Sequence, residues 1–462
     1  GAKISMIFQE PMSALNPTMK IGEQLFEMYS SHQNIPFQNI TNRIKNLIQK
    51  VKLDGVDNLL EKYPHQISGG QKQRVMIVMA LACSPKLLIA DEPTTALDVT
   101  VQKEIVEILK SLQKTENLSI LFISHDLKLV SKITDRLLII KNGVIVERGY
   151  NKSIFKAPKS DYTKALLSVM INNKVRLKTL PTIKTFKSKL VKEKKSERGR
   201  RLEKIYSKKP ILQINNLSKF YNTSNNLFVK NKGFKALDDI EISLYKGETL
   251  GLIGESGSGK TTLSNAILKI HSYDEGNIIF KGENISKLKS QKLLDFRKEV
   301  QIIFQDPYAS LNPIKNIKQT LAEPIRYHKI ESNAEKVVEL LIDVGLDESF
   351  LNRYPHELSG GQRQRVCIAR AISVTPKIVI CDECVSALDV SVQATILNLL
   401  NSLKKKYGFT YIFISHDLSV VKYMSDKIVV LNNGKVVEYA DADKIFSRPE
   451  NNYTKKLINA SV

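Results

Sequence analysis

This chain repeats itself, and the repeat limits its fold more than any other feature. Tyr63-Pro-His-Gln-Ile-Ser-Gly-Gly-Gln71 returns as Tyr354-Pro-His-Glu-Leu-Ser-Gly-Gly-Gln362, and Leu88-Ile-Ala-Asp-Glu92 returns as Val379-Ile-Cys-Asp-Glu383. Ile123-Ser-His-Asp-Leu127 returns as Ile414-Ser-His-Asp-Leu418, and Tyr162-Thr-Lys164 as Tyr453-Thr-Lys455. Each pair is 291 positions apart. Phe8-Gln-Glu-Pro11 and Phe304-Gln-Asp-Pro307 are 296 apart, so the second copy is five residues shorter downstream of this point. A chain of 462 residues exceeds one hydrophobic core, and the period divides it into two domains of one design. We place the first at 1–170, a connecting stretch at 171–210 and the second at 211–462.

Residues 254–262, Gly-Glu-Ser-Gly-Ser-Gly-Lys-Thr-Thr, fit the phosphate-loop pattern G-x-x-x-x-G-K-[ST]. Gly254, Gly257 and Gly259 let the backbone turn tightly, so that successive N–H groups around Ser256 converge on an anion. Lys260 supplies a point charge for outer phosphates, the Thr261 hydroxyl suits Mg²⁺, and Thr262 continues the stretch into a helix whose positive end faces the same anion. Glu248–Ile253 reads as a buried strand and Thr262–Leu268 as an amphipathic helix, the context that separates this motif from an idle Gly/Ser turn. Lys260 precedes Gln305 by 45 residues, whereas only eight residues precede Gln9. The first copy is therefore expected to lack its phosphate loop here, and the opening Gly-Ala-Lys-Ile-Ser-Met reads as mid-strand.

The second copy alternates strand and helix, with one strand region expected across 240–253 and a helical insertion across 306–360. Val379-Ile-Cys381 and Tyr411-Ile-Phe-Ile414 are apolar runs of the kind buried on both faces of a parallel sheet. The expectation is an α/β fold with helices on both sides of the sheet. No apolar run approaches the ~18–20 residues of a membrane span. The four cysteines imply a reducing compartment. Cys381 and Cys384 have no second pair, which argues against a zinc site. The net charge of +23 is concentrated: Lys174–Lys209 holds 15 Lys/Arg against Glu193, Glu197 and Glu203. Poor in large apolar residues, this stretch reads as a solvated tether, disordered or loosely helical, with anionic lipid or nucleic acid as its conceivable contacts.

Together the phosphate loop, Gln305 after a strand, Ser-Gly-Gly-Gln, the strand-ending acidic pair and Ser-His-Asp resemble the ATP-binding-cassette (ABC) ATPases across nearly the whole chain. The resemblance implies two P-loop nucleotide-binding domains, each a RecA-like α/β core with an inserted helical subdomain, the first incomplete. It implies ATP and Mg²⁺ as cofactors. In the second copy it assigns Asp382, Thr261 and Gln305 to the metal, Glu383 to polarising the attacking water, His416 to the γ-phosphate and Tyr221 to the adenine, with Phe220 as competitor. Asp91, Glu92, His125 and Gln9 are the first copy's counterparts. Ser68, Gly69, Gly70 and Gln71 match the signature loop, and Asp98 (Asp389 in the second copy) matches the loop that crosses the cassette interface. One composite site is implied, joining the second copy's phosphate loop to the first copy's signature. Cys384 stands where the first copy has Pro93; a small apolar thiol should be tolerated there.

Gln9-Glu-Pro-Met-Ser-Ala-Leu-Asn-Pro17, Gln305-Asp-Pro-Tyr-Ala-Ser-Leu-Asn-Pro313 and the Tyr-Pro-His triplets resemble the dipeptide/oligopeptide importers, and the fusion resembles their tandem microcin- or glutathione-type ATPases. Such a protein would be peripheral at the cytoplasmic face of the bacterial inner membrane. It would work with two transmembrane permeases and an extracytoplasmic peptide-binding protein, with its cassettes paired within the chain and no nucleic acid partner. A tandem ATPase acting on ribosomes would need a helical hairpin with an apolar seam between its cassettes. Residues 174–209 lack sustained heptad spacing and contain Pro181.

Overall fold

A computed structural model of the chain describes all residues except 1–2, 10–13, 32–35, 96, 171–175, 222–232, 332–333, 387 and 462. The Glu10–Ser13 part of the importer sub-pattern and the leading Ala96 and Ala387 of the two Ala-Leu-Asp triplets thus lie outside the described residues, as does Lys174 at the start of the basic stretch. Two units are present, Gly1–Leu167 and Ser168–Val462.

In the first unit β1 (Ile4–Ile7), β2 (Leu87–Asp91) and β3 (Ser119–Ile123) form a parallel sheet in that order, while β4 (Arg136–Lys141) and β5 (Val144–Tyr150) form an antiparallel pair. Helices α1 (Ile21–Ser30), α2 (Phe37–Lys50), α3 (Gly69–Leu81) and α4 (Val99–Thr115) bury Ile21, Leu25, Ile44, Val75 and Ile105 against Ile7, Leu88 and Ala90 of the sheet.

In the second unit β6 (Pro210–Tyr221), β7 (Phe234–Tyr245), β9 (Glu275–Phe280) and β10 (Glu283–Asn284) form an antiparallel sheet in the order β10-β9-β6-β7. A six-stranded sheet runs β11 (Val300–Ile303), β12 (Ile378–Asp382), β13 (Thr410–Ile414), β8 (Thr249–Ile253), β14 (Lys427–Asn432), β15 (Lys435–Asp441). It is parallel except for its last pair. The strand region expected across 240–253 is two strands in different sheets, parted by a turn at Gly247 with φ +83. Side chains alternate about the central sheet, as a two-residue period demands. Val379, Cys381, Tyr411 and Phe413 face one core, with α7 (Ile317–Tyr327), α8 (Ala334–Asp343), α9 (Gly360–Ile372) and α10 (Val390–Tyr407). Ile378, Ile380, Ile412 and Ile414 face the other, with β6 and β7. The 306–360 insertion is helical as expected. The phosphate loop leads into α5 (Lys260–Ile267), and two helices of the second unit were not anticipated from sequence, α6 (Ser290–Glu299) and the C-terminal α11 (Asn452–Ser461).

The basic stretch corrects the sequence reading, because its described part is folded. Leu177 bridges Lys192 and Lys195–Tyr206 is helical. Leu180 is 2% exposed within the second unit's core, and the Asn398 side chain takes both its N–H and its C=O at 2.9 Å. Arg176 donates to the Ser425 carbonyl at 3.0 Å and pairs with Asp443; Arg198 meets Asp441 at 2.8 Å, and Arg201 meets the buried Asp426 at 2.8 Å. Glu193 also pairs with Arg176 and Arg201, but Asp426, Asp441 and Asp443 come more than 200 residues later than the arginines they meet, where no local charge count finds them.

The two copies differ where β8 sits. In the second unit β8 separates β13 from β14, and Ile412 and Ile414 are 3% and 1% exposed against it. Their counterparts Leu121 and Ile123 are 46% and 43% exposed, and β3 and β4 belong to separate sheets with no strand between them among the described residues.

Candidate active site

All five residues of β8 are buried, and Gly254 follows directly on its last residue, Ile253. A Cβ on Gly254 would lie 2.3 Å from the Leu431 carbonyl oxygen; one on Gly259, whose φ is +107, would lie 2.7 Å from that of Ala236. Both positions therefore require glycine. Lys260, Thr261 and Thr262 open the following helix (Lys260–Ile267). Lys260 is 8% exposed, and its Nζ donates to the carbonyls of Gly254 at 2.7 Å and Glu255 at 2.9 Å. Tyr221 ends β6 opposite Phe234, two residues before Ala236, and is 40% exposed.

Because β12 neighbours β13 and β13 neighbours β8, the acidic pair and the glycine loop share one edge of the sheet. Burial pushes Asp382 up to about 6, with Glu383 adding to the rise and Lys260 opposing it. Burial pushes Glu383 the same way, but His416 and Lys260 outweigh it and hold this carboxyl below its usual range. Burial depresses His416, and Glu383 reverses that into a net rise. Gln305 Nε2 donates to Glu383 Oε2 at 2.7 Å, and His416 Nδ1 lies 3.6 Å from the same oxygen. Glu383 has φ +46, a left-handed conformation rare outside glycine and a mark of stored strain. The first unit repeats the arrangement: Glu92 has φ +44, accepts Gln9 Nε2 at 3.0 Å and lies 2.9 Å from His125 Nδ1. A carboxylate held by an amide and an imidazole beside a lysine-bearing loop can accept a proton from water next to a bound phosphate.

Ser68 caps α3 in a reciprocal box, its Oγ accepting Gln71 N–H at 3.3 Å while Gln71 Oε1 accepts Ser68 N–H at 2.9 Å. Gly69 and Gly70 open the helix, and a Cβ on Gly70 would lie 2.6 Å from Val101 Cγ1. Asp98 caps α4 by accepting Val101 N–H at 3.1 Å, so Asp98 and the Ser68–Gln71 stretch are gathered on one side of the first unit. Ser359 and Gln362 form the same box at the start of α9.

Comparison with known proteins decides the family. The model for "ABC transporter" matches residues 1–95 and 237–386, and "Oligopeptide/dipeptide transporter, C-terminal region" matches 146–202 and 437–462. The chain belongs to the ABC transporter family. Among the relatives of this ABC chain are proteins named glutathione import ATP-binding protein GsiA. That of Escherichia coli strain K12 is 42% identical over 466 residues, that of Escherichia coli O6:H1 43% over 465, and that of Salmonella paratyphi A 41% over 469. Each alignment covers 100% of this chain and 74% of the relative. The chain is an ABC importer ATPase of the oligopeptide/dipeptide type, and ATP hydrolysis drives the import. No helix among the described residues is long and apolar enough to cross a membrane.

Two features of this ABC site escape motif reading. The left-handed backbone of Glu92 and Glu383 leaves no mark in composition. The Tyr453 hydroxyl accepts the Glu255 N–H at 3.0 Å, inside the phosphate loop. Its only sequence signal is the return of Tyr-Thr-Lys after 291 residues, a triplet that carries no chemistry of its own.

Proposed function

We propose that the second copy is the hydrolytic cassette of a fused importer ATPase for short peptides. What carries the reading is the gathering of Lys260, Asp382, Glu383, Gln305 and His416 at the edge of one sheet. Lys260 and the loop amides hold the outer phosphates, Tyr221 receives the base, Glu383 takes the proton of the attacking water, and His416 senses the γ-phosphate. Mg²⁺ fits here, because a half-buried Asp382 driven up to about 6 beside a second carboxylate favours a cation. Thr261, Asp382 and Gln305 would hold it, and it would supply neutralisation of phosphate charge. Lys260→Ala should therefore abolish turnover.

Further parts of the reading rest on the family. We propose that Ser68, Gly69, Gly70, Gln71 and Asp98 of the first copy complete the second copy's site when ATP closes the cassettes. Two permeases and an extracytoplasmic peptide-binding protein are the proposed partners, and the cytoplasmic face of a bacterial inner membrane the location. The relatives' name makes glutathione, a tripeptide, the first cargo to try. The test is ATPase activity of the full-length protein reconstituted with its permeases. Ser68→Ala should lower turnover at least about tenfold; unchanged turnover in Ser68→Ala alongside a dead Lys260→Ala would refute the pairing.

A further inference from the structure

The C-terminal region that marks the importer subtype reaches into the phosphate loop. α11 begins where Glu438, on β15, accepts the backbone N–H groups of Glu450 at 3.0 Å and Asn451 at 3.1 Å. Asn451 Oδ1 accepts the Tyr453 N–H at 2.8 Å. The first turn of α11 is thereby fixed to the sheet, and its Tyr453 hydroxyl accepts the Glu255 N–H at 3.0 Å. The carbonyl of that same peptide unit, Gly254 O, accepts Lys260 Nζ at 2.7 Å. One peptide plane of the loop is thus held on both edges, by Tyr453 through its N–H and by Lys260 through its C=O. Bonds in series through one amide polarise each other, so what fixes the N–H edge also steadies the ammonium.

The duplication supports a working hydroxyl. In the first unit Glu147 accepts Lys159 N–H at 2.8 Å and Ser160 N–H at 3.0 Å. Glu147, Tyr162 and Thr163 correspond to Glu438, Tyr453 and Thr454, whereas Lys159 has become Glu450, a position whose part in the bracket is its backbone N–H. A ring needed only for packing would be served equally by phenylalanine.

We propose that Tyr453 is a positioning residue for the nucleotide: through the Gly254–Glu255 peptide it presets the phosphate loop and Lys260 for the triphosphate. This rests on the reading that the loop binds ATP. The test uses the full-length protein, a fluorescent ATP analogue with Mg²⁺, and steady-state phosphate release. Tyr453→Phe keeps the ring and removes the acceptor. It should weaken analogue binding and raise KM for ATP about fivefold, the worth of one hydrogen bond, with kcat within about twofold and the unfolding midpoint unchanged. Glu438→Gln, which loosens the start of α11, should show the same KM shift together with a lowered midpoint. Wild-type affinity in Tyr453→Phe, or a lowered midpoint without a KM shift, would overturn the proposal. Failure of the wild type itself to bind the analogue would overturn the reading of the loop, and this inference with it.

Discussion

Asp382 and Glu383 are adjacent and half-buried, yet they hold protons differently. Asp382 has burial and Glu383's charge against it; Glu383 is compensated by His416 and Lys260. The consequence for stability follows from linkage. A carboxyl whose folded value is raised from 3.8 to about 6 costs nothing below both values, and its penalty grows as pH rises through that window and is complete above it. Asp382→Asn should therefore stabilise the nucleotide-free protein at pH 7.5, by up to about 3 kcal/mol at 1.36 per pH unit, while abolishing hydrolysis. Near pH 3 the variant and wild type should unfold together. Thermal unfolding across that range checks it, and identical midpoints at pH 7.5 would contradict it. Cys384 is 2% exposed and packed in the core with Cys381.

Elements were legible where their evidence is local. The strand–glycine–helix run of 249–267 announces itself within 20 residues, and so does each Ser-Gly-Gly-Gln cap. The Gln–Glu–His grouping was readable only through family resemblance, because it needs β11, β12 and β13, whose starts at 300, 378 and 410 are far apart in the chain, to lie side by side. The docking of 176–206 was not legible, since its partners Asn398, Asp426 and Asp441 lie far along the chain. Asp426 shows the energetic side: burial alone would raise its carboxyl, but Lys404 and Arg201 hold it down to about 2. Arg201→Ala leaves Lys404 as the remaining cation of that pair, so a loss of about 2 kcal/mol is expected, below the ~3–5 of a buried ion left with no partner. Denaturant unfolding measures it, and no change would mean the segment is not anchored by this pair. Helix packing gives a second check. A Cβ on Gly361 would lie 2.6 Å from Val392 Cγ1, so Gly361→Ala should cost about 1–3 kcal/mol through overpacking of α9 on α10.

At the scale of the whole molecule, duplication gives two sets of site residues with different surroundings. The second unit has β8, its glycine loop and the helix beyond, and these bury Ile412 and Ile414. In the first unit Leu121 and Ile123 are exposed, although Gln9, Glu92 and His125 are grouped as in the second. We propose that hydrolysis uses the second unit's loop and carboxylate, where Gln305 and His416 flank Glu383. The most direct test is phosphate release by the full-length protein carrying Glu383→Gln, with ATP binding measured in parallel. The account predicts retained binding with turnover lowered at least about 100-fold, the scale of a lost general base. Turnover within about twofold of wild type would contradict it.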